Sequence, residues 1–182
     1  SSITVNEMEV FEMDADAVMV CSPTVSHIRQ ARMVINHGFH VFVEKPLSHT
    51  LAGTDELIAE SLSKAMVVLV GCNLRFLPSL KLVKKLMDEG RIGRPLAVRA
   101  QMGYYLPYWR PQTDYRDNYG AKHASGGGIM LDAIHEFDYL RWFFGDVEEV
   151  FCHASKMSTL EIDVEDNADI LIRFTSGLVA NL

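Results

Sequence analysis

Apolar and polar positions follow two different rhythms along this chain. Up to about residue 74, short unbroken apolar runs alternate with stretches patterned as amphipathic helices. Asp16-Ala17-Val18-Met19-Val20-Cys21 is the first run; Ile28, Ala31 and Ile35 then share one face of a helix that Gly38 is placed to cap. Val41-Phe42-Val43 is the second run. Thr50 follows as an N-cap candidate for a helix carrying Leu57, Ile58, Leu62 and Ala65, and Met66-Val67-Val68-Leu69-Val70-Gly71 is the third run. Continuous apolar strands alternating with helices predict a parallel sheet covered on both faces. Residues 1–74 therefore read as the later half of a doubly wound α/β domain.

From residue 75 to 182 the pattern changes. A helix is predicted over Ser79–Glu89 with Val83, Leu86 and Met87 inward, stopped by Gly90 and Gly93-Arg94-Pro95. Leu96–Met102 alternates like a strand with one wet face. Residues 103–125 are rich in Tyr, Arg, Asp, Pro and Gly, too polar for a core and long for an idle loop. A Gly126-Gly127-Gly128 hinge leads into a helix over Ile129–Phe144, and strands are expected at 147–157, 165–175 and from Leu178 onward. This is the grammar of an incomplete α+β domain with a mostly antiparallel sheet.

Composition narrows the function classes. The 182 residues are 48% hydrophobic and 23% charged, which is globular, and the formal net charge is −7 with no Lys/Arg block. A nucleic-acid surface is therefore disfavoured and a small-molecule ligand is the better expectation. Cys21, Cys72 and Cys152 are too far apart for a disulfide framework or zinc site and read as reduced, mostly buried thiols of a cytoplasmic protein. No apolar run reaches the length of a membrane span and no signal peptide opens the chain. The seven histidines are scattered without HxH or HExxH spacing, so no metal site is expected.

The strand His40-Val41-Phe42-Val43 runs directly into Glu44-Lys45-Pro46. Ligands bind at the carboxyl ends of strands in open α/β sheets, which makes Lys45 a candidate for chemistry. Ser22-Pro23-Thr24 with His27, then Glu44-Lys45-Pro46, then Asn73 and Arg75-Phe76, then Gly126-Gly127-Gly128 with Asp132, His135 and Asp138 follow in that order. Together they closely resemble the Gfo/Idh/MocA family of nicotinamide-dependent oxidoreductases, over essentially the whole chain. The resemblance implies a partial Rossmann-type domain that binds NAD or NADP, followed by a substrate-binding and oligomerisation domain whose sheet pairs like copies into a homo-oligomer. Such proteins open with a GxGxxG turn that holds the pyrophosphate at a helix N-terminus. No GxGxxG occurs here, so the chain reads as an internal fragment without the Gly-rich N-terminal half and the C-terminal end, and Ser1 reads as other than the natural start.

Lys45 is the expected acid/base group, because oxidising an alcohol requires a group that takes the hydroxyl proton as hydride leaves. Pro46 restricts its backbone, and the resemblance implies a cis peptide between them. Alone, Lys45 would read as a surface lysine paired with Glu44. Asp132 and His135, three apart on a helix, share a face, and the resemblance assigns them to orient the substrate hydroxyl and assist proton transfer. The commoner family spacing is four, and three rotates the histidine by about 100° unless the helix start is irregular. Their bland alternative is a helix-dipole carboxylate beside a core histidine; Asp138 reads as a structural partner of His135 or Arg141. The resemblance sets Pro23, Thr24, His27, Glu44, Lys45, Pro46 and Asn73 against the cofactor, although Pro23 and Thr24 also suit a helix start and His27 also suits a structural role. Arg75, Tyr105, Arg110 and Tyr115 are substrate-side candidates, since aromatic rings stack on sugar faces and guanidinium groups bind anionic substituents. A salt bridge explains Arg75 almost as well, and a loop packed at a subunit contact explains the aromatics equally well.

The expected activity is hydride transfer between nicotinamide and a hydroxyl or keto group of a sugar, amino sugar or cyclitol. Two alternatives are an NAD-dependent glycoside hydrolase on the same scaffold and a non-catalytic oligomerisation module. Net cofactor reduction separates the dehydrogenase from the hydrolase.

Overall fold

The computed structural model describes residues 6–182, and the chain separates into two compact units, Ser1–Gly71 and Cys72–Leu182. In unit 1, β1 (Ala17–Val20), β2 (His40–Val43) and β3 (Val68–Val70) form a parallel sheet in that order. Its connections are α1 (His27–Asn36) and α2 (Thr54–Lys64). Val20, Val41 and Val43 pack with Ala31, Val34 and Ile35 of α1 and Leu57 of α2 in one core, so both helices cover the same face. The opposite face carries Met19, Phe42 and Leu69 in register across the three strands. Met19 and Leu69 are 69% and 51% exposed, so coverage by the described helices is one-sided rather than two-sided.

Two local details differ from the sequence expectation. The second helix begins at Thr54 rather than just after Thr50. Gly53 turns the chain with φ 79, and a Cβ there would stand 2.7 Å from Ile28 Cγ2, so only glycine lets α2 start against α1. Ile58 and Leu62 also lie outside the core, because Leu57 alone of that helix is buried.

Unit 2 begins with a 3-10 turn, Asn73–Phe76, and α3 (Pro78–Asp88). Val83 was expected inward but is 39% exposed, and no residue of α3 is buried. The sheet of this unit has the order β4-β7-β6-β5, from β4 (Ala97–Arg99), β5 (Val147–Ser155), β6 (Asn167–Phe174) and β7 (Val179–Asn181). β5, β6 and β7 pair antiparallel, while β4 joins β7 in parallel. Ile170, Ile172 and Phe174 point to one face of β6 and pack with Leu178, Ala180 and Leu140, the last from α6 (Ile134–Phe144). Phe151, Leu171 and Val179 lie exposed on the other face. The cysteines are not buried as expected: Cys152 of β5 and Cys21 just after β1 are exposed, because each sits where no described element covers it, and Cys72 is half-buried.

The segment predicted as one helix over Ile129–Phe144 is two: α5 (Ile129–Asp132) and α6, separated by Ala133 with φ −82 and ψ 19. Residues 103–125 are a chain of short turns, including α4 (Leu106–Trp109). No helix among the described residues is long and apolar enough to cross a membrane.

Candidate functional site

In unit 1 the site candidates gather at the carboxyl ends of β1 and β2. Beyond the end of β2 the ladder continues: Glu44 N–H donates to the Val20 carbonyl at 2.8 Å, and Gly71 N–H donates to the Val43 carbonyl at 2.8 Å. Lys45 comes next, half-buried, and its peptide bond to Pro46 is cis. Pro46 is buried, and its carbonyl lies 2.8 Å from His27 Nδ1. His27 Nε2 lies 2.8 Å from the Ser22 carbonyl, in the turn that follows β1. Each ring nitrogen therefore faces a backbone carbonyl, to which only a protonated nitrogen donates. Thr24 is buried beside it in the sequence, whereas Pro23 is exposed and leads into the 3-10 turn Thr24–Ser26.

Glu44 is fixed from a second side. A Cβ placed on Gly71 would stand 3.2 Å from Glu44 Oε2 and 3.0 Å from Phe42 Cζ, so the carboxylate packs against the bare backbone at the end of β3. Two adjacent strand ends carrying a held carboxylate, a half-buried lysine and a buried threonine suit the nicotinamide end of a dinucleotide. The Gly-rich turn that would cradle its phosphates does not occur in this sequence.

In unit 2 the break at Ala133 decides how Asp132 and His135 are presented. Asp132 closes α5 and His135 belongs to the first turn of α6, so the 100° step of a continuous helix does not apply between them. The irregular start on which the three-residue spacing depends is present. Asp132 accepts a hydrogen bond from the Tyr104 phenol, and Tyr104 stacks on Trp109 with ring centroids 4.1 Å apart. Burial, reinforced by the Asp132 carboxylate, pushes the Tyr104 phenol above the usual tyrosine range.

Asp132 and Tyr104 line a cavity of about 340 Å³ whose other walls include Tyr105, Leu106, Leu160, Ile162 and Glu165; His135 is not among its lining residues. Glu165 accepts from the Ile129 N–H through its carbonyl and from the Met130 N–H through its carboxylate, at 3.1 and 3.2 Å. It thereby anchors the start of α5. Sequence reading missed Tyr104 and Glu165 as site residues. Tyr104 is 28 positions from its partner and Glu165 is 35 from Met130, so no local spacing could signal either contact.

The remaining candidates are distributed differently. Arg75 is committed to Asp138 through a two-pronged pair, Nε to Oδ2 at 2.8 Å and Nη2 to Oδ1 at 2.6 Å. It fixes the 73–76 turn to α6, and Arg141 pairs instead with Asp146 at 2.9 Å. Asn73 is exposed at the start of that turn. The Tyr115 hydroxyl accepts from the Glu161 N–H at 3.2 Å, and Arg116 bridges Asp114 and Glu161. The Arg116 guanidinium holds the Asp114 carboxyl down to about 2. These bonds stitch the aromatic loop to residues 156–166, whereas Arg110 is exposed. Among the described residues no group of three or more His, Cys, Asp or Glu is arranged to hold a metal ion.

Comparison with known proteins follows the same division. The family model described as the oxidoreductase family's NAD-binding Rossmann fold matches residues 4–72, and that of the GFO/IDH/MocA C-terminal domain matches residues 80–182. Myo-inositol 2-dehydrogenase of Thermotoga maritima is 37% identical over a gapped alignment of 170 positions that covers 90% of this chain and 48% of that protein. The 1,5-anhydro-D-fructose reductase of Ensifer adhaerens is 33% identical over a gapped alignment of 187 positions that covers 98% of this chain and 53% of that protein. The crystal structure of GenD2 from gentamicin A biosynthesis, in complex with NAD, is similar with a TM-score of 0.84 at 26% identity, covering 100% of this chain and 51% of that one. The chain spans about half the length of the curated relatives it matches.

Proposed function

The chain belongs to the Gfo/Idh/MocA family of oxidoreductases, and on that premise we propose that the whole protein transfers hydride between NAD or NADP and a hydroxyl or keto group of a cyclitol or sugar. The observation that carries this reading is the seat of Lys45. It stands at the carboxyl end of the middle strand of a parallel sheet, with hydrogen bonds fixing the backbone on both sides of it.

A bound nicotinamide supplies the acceptor or donor of the hydride. Lys45 Nζ takes the hydroxyl proton when the alcohol is oxidised and returns it when the ketone is reduced. In unit 2, Asp132, held by Tyr104, is suited to accept a hydrogen bond from a substrate hydroxyl, and His135 to assist proton movement. Pro23, Thr24, Glu44 and Pro46 would face a bound nicotinamide, and Asn73 is a further candidate for contact with it. Tyr105 offers a sugar-stacking face in the cavity that Asp132 lines. Inositol and anhydrofructose, named for the two relatives, direct the substrate search toward cyclic polyols.

The test is net redox in the full-length protein. Myo-inositol, other cyclitols and simple sugars are offered with NAD or NADP while the absorbance of reduced nicotinamide is followed. Steady accumulation with at least one polyol is expected. Release of an aglycone from a glycoside with no net cofactor reduction would replace this reading with the hydrolase.

A further inference from the structure

We infer that His27 is a positioning residue for Lys45, holding the turn after β2 to the start of α1 by donating its Nδ1–H to the Pro46 carbonyl. The inference rests on reading Lys45 as the proton-transfer group. His27 is 1% exposed, and each ring nitrogen has a backbone carbonyl at 2.8 Å. A ring committed in that way has little left to offer a ligand directly. It opens α1, whose Ala31, Val34 and Ile35 are buried in the core of unit 1, so the packing of the helix sets the place of the ring.

Pro46 explains why such a partner is needed. It is buried and has no N–H, and a buried carbonyl without a partner is costly. Residue 44 on the other side is pinned by its N–H to Val20. Lys45 therefore leaves a backbone anchored once before it and once after it, and the second anchor is His27. Each anchor ties β2's turn to a different part of β1's exit. Loss of the His27 contact removes one of these two anchors, and misplacement of a reacting group by about 1 Å can cost up to about 100-fold in rate.

Two substitutions separate the ring nitrogens. An asparagine amide nitrogen falls close to the place of histidine Nδ1, and that of glutamine close to Nε2. His27→Asn therefore retains a donor toward Pro46, and His27→Gln retains one toward Ser22 only. In the full-length protein, kcat of His27→Gln is expected about 10-fold or more below that of His27→Asn, with cofactor KM moving less. In the absence of cofactor, acylation of the Lys45 amine by a small reagent, read by peptide mass spectrometry, should depart from wild type in His27→Gln and stay nearer to it in His27→Asn. Equal kcat and equal Lys45 acylation in the two variants, whatever their melting temperatures, would overturn the inference. If neither variant folds, the nitrogen NMR spectrum of histidine-labelled wild type decides. A proton on Nδ1 supports the clamp, and a bare Nδ1 refutes it. The acylation and NMR readouts hold even if Lys45 proves dispensable for turnover, so failure of the proposed function and failure of the clamp are distinguishable.

Discussion

A carboxylate that orients a hydroxyl must itself be held, and Asp132 is held by the phenol of Tyr104. Hydrogen bonds to charged groups contribute about 1.5–3 kcal/mol, so Tyr104→Phe should lower kcat/KM by roughly 10- to 100-fold if Asp132 works in the reaction. The fold should survive, because the ring still stacks on Trp109. A variant with unaltered kcat/KM would remove Asp132 from the mechanism or Tyr104 from its support. The pH dependence has a definite sign. The Tyr104 phenol is raised above its ordinary 10.0, first by burial and then by Asp132, so its contribution to stability is complete below pH 10.0 and is lost as pH climbs beyond. An ultraviolet titration should therefore show tyrosines ionising above the ordinary range in wild type, with buried Tyr139 among them, and Tyr104→Phe should remove one tyrosine from that late group. His27 and Glu44 show the same economy in unit 1, where backbone atoms rather than other side chains are the partners of the histidine.

Among the elements, the glycine triplet before α5 is the sharpest departure from the sequence reading. Gly126-Gly127-Gly128 suggested a hinge, yet a Cβ on Gly127 would stand 2.5 Å from the Gly120 carbonyl oxygen and one on Gly128 would strike the Glu165 carboxylate. The glycines are there for close approach, which no local pattern distinguishes from flexibility. Gly127→Ala must displace backbone and should cost about 1–3 kcal/mol, read as a lower melting temperature. An unaltered melting point would show that the turn at 119–120 gives way freely. Strands β1, β2, β5 and β6 and helix α1 were legible because continuous and periodic apolar runs mark them directly. The exposed Ile58, Leu62 and Val83 were not, since periodicity gives the apolar face of a helix but not whether anything covers it. The break at Ala133 was hidden because Ala is a good helix former, and only the i+3 spacing of Asp132 and His135 hinted at it. The lysine turn was legible as a strand end, whereas its clamp was not, being a contact across 19 residues.

On the scale of the whole molecule, each sheet keeps one covered face and one face with exposed apolar residues. In unit 2 Phe151, Leu171 and Val179 occupy the open face, and Arg173 beside them is paired with Glu149 at 3.0 Å. Contiguous exposed apolar surface marks an interaction site, and the homo-oligomer expected from the sequence is proposed to form here. Phe151→Glu in the full-length protein should then reduce the sedimenting mass toward that of a monomer; an unaltered assembly would move the interface elsewhere. The central claim is that Lys45 transfers the proton that accompanies hydride transfer, and it is tested most directly by turnover of Lys45→Met in the full-length protein at saturating polyol and dinucleotide. Loss of a positioned acid/base group should lower kcat by about 100-fold or more while dinucleotide binding persists. Turnover equal to wild type would contradict it.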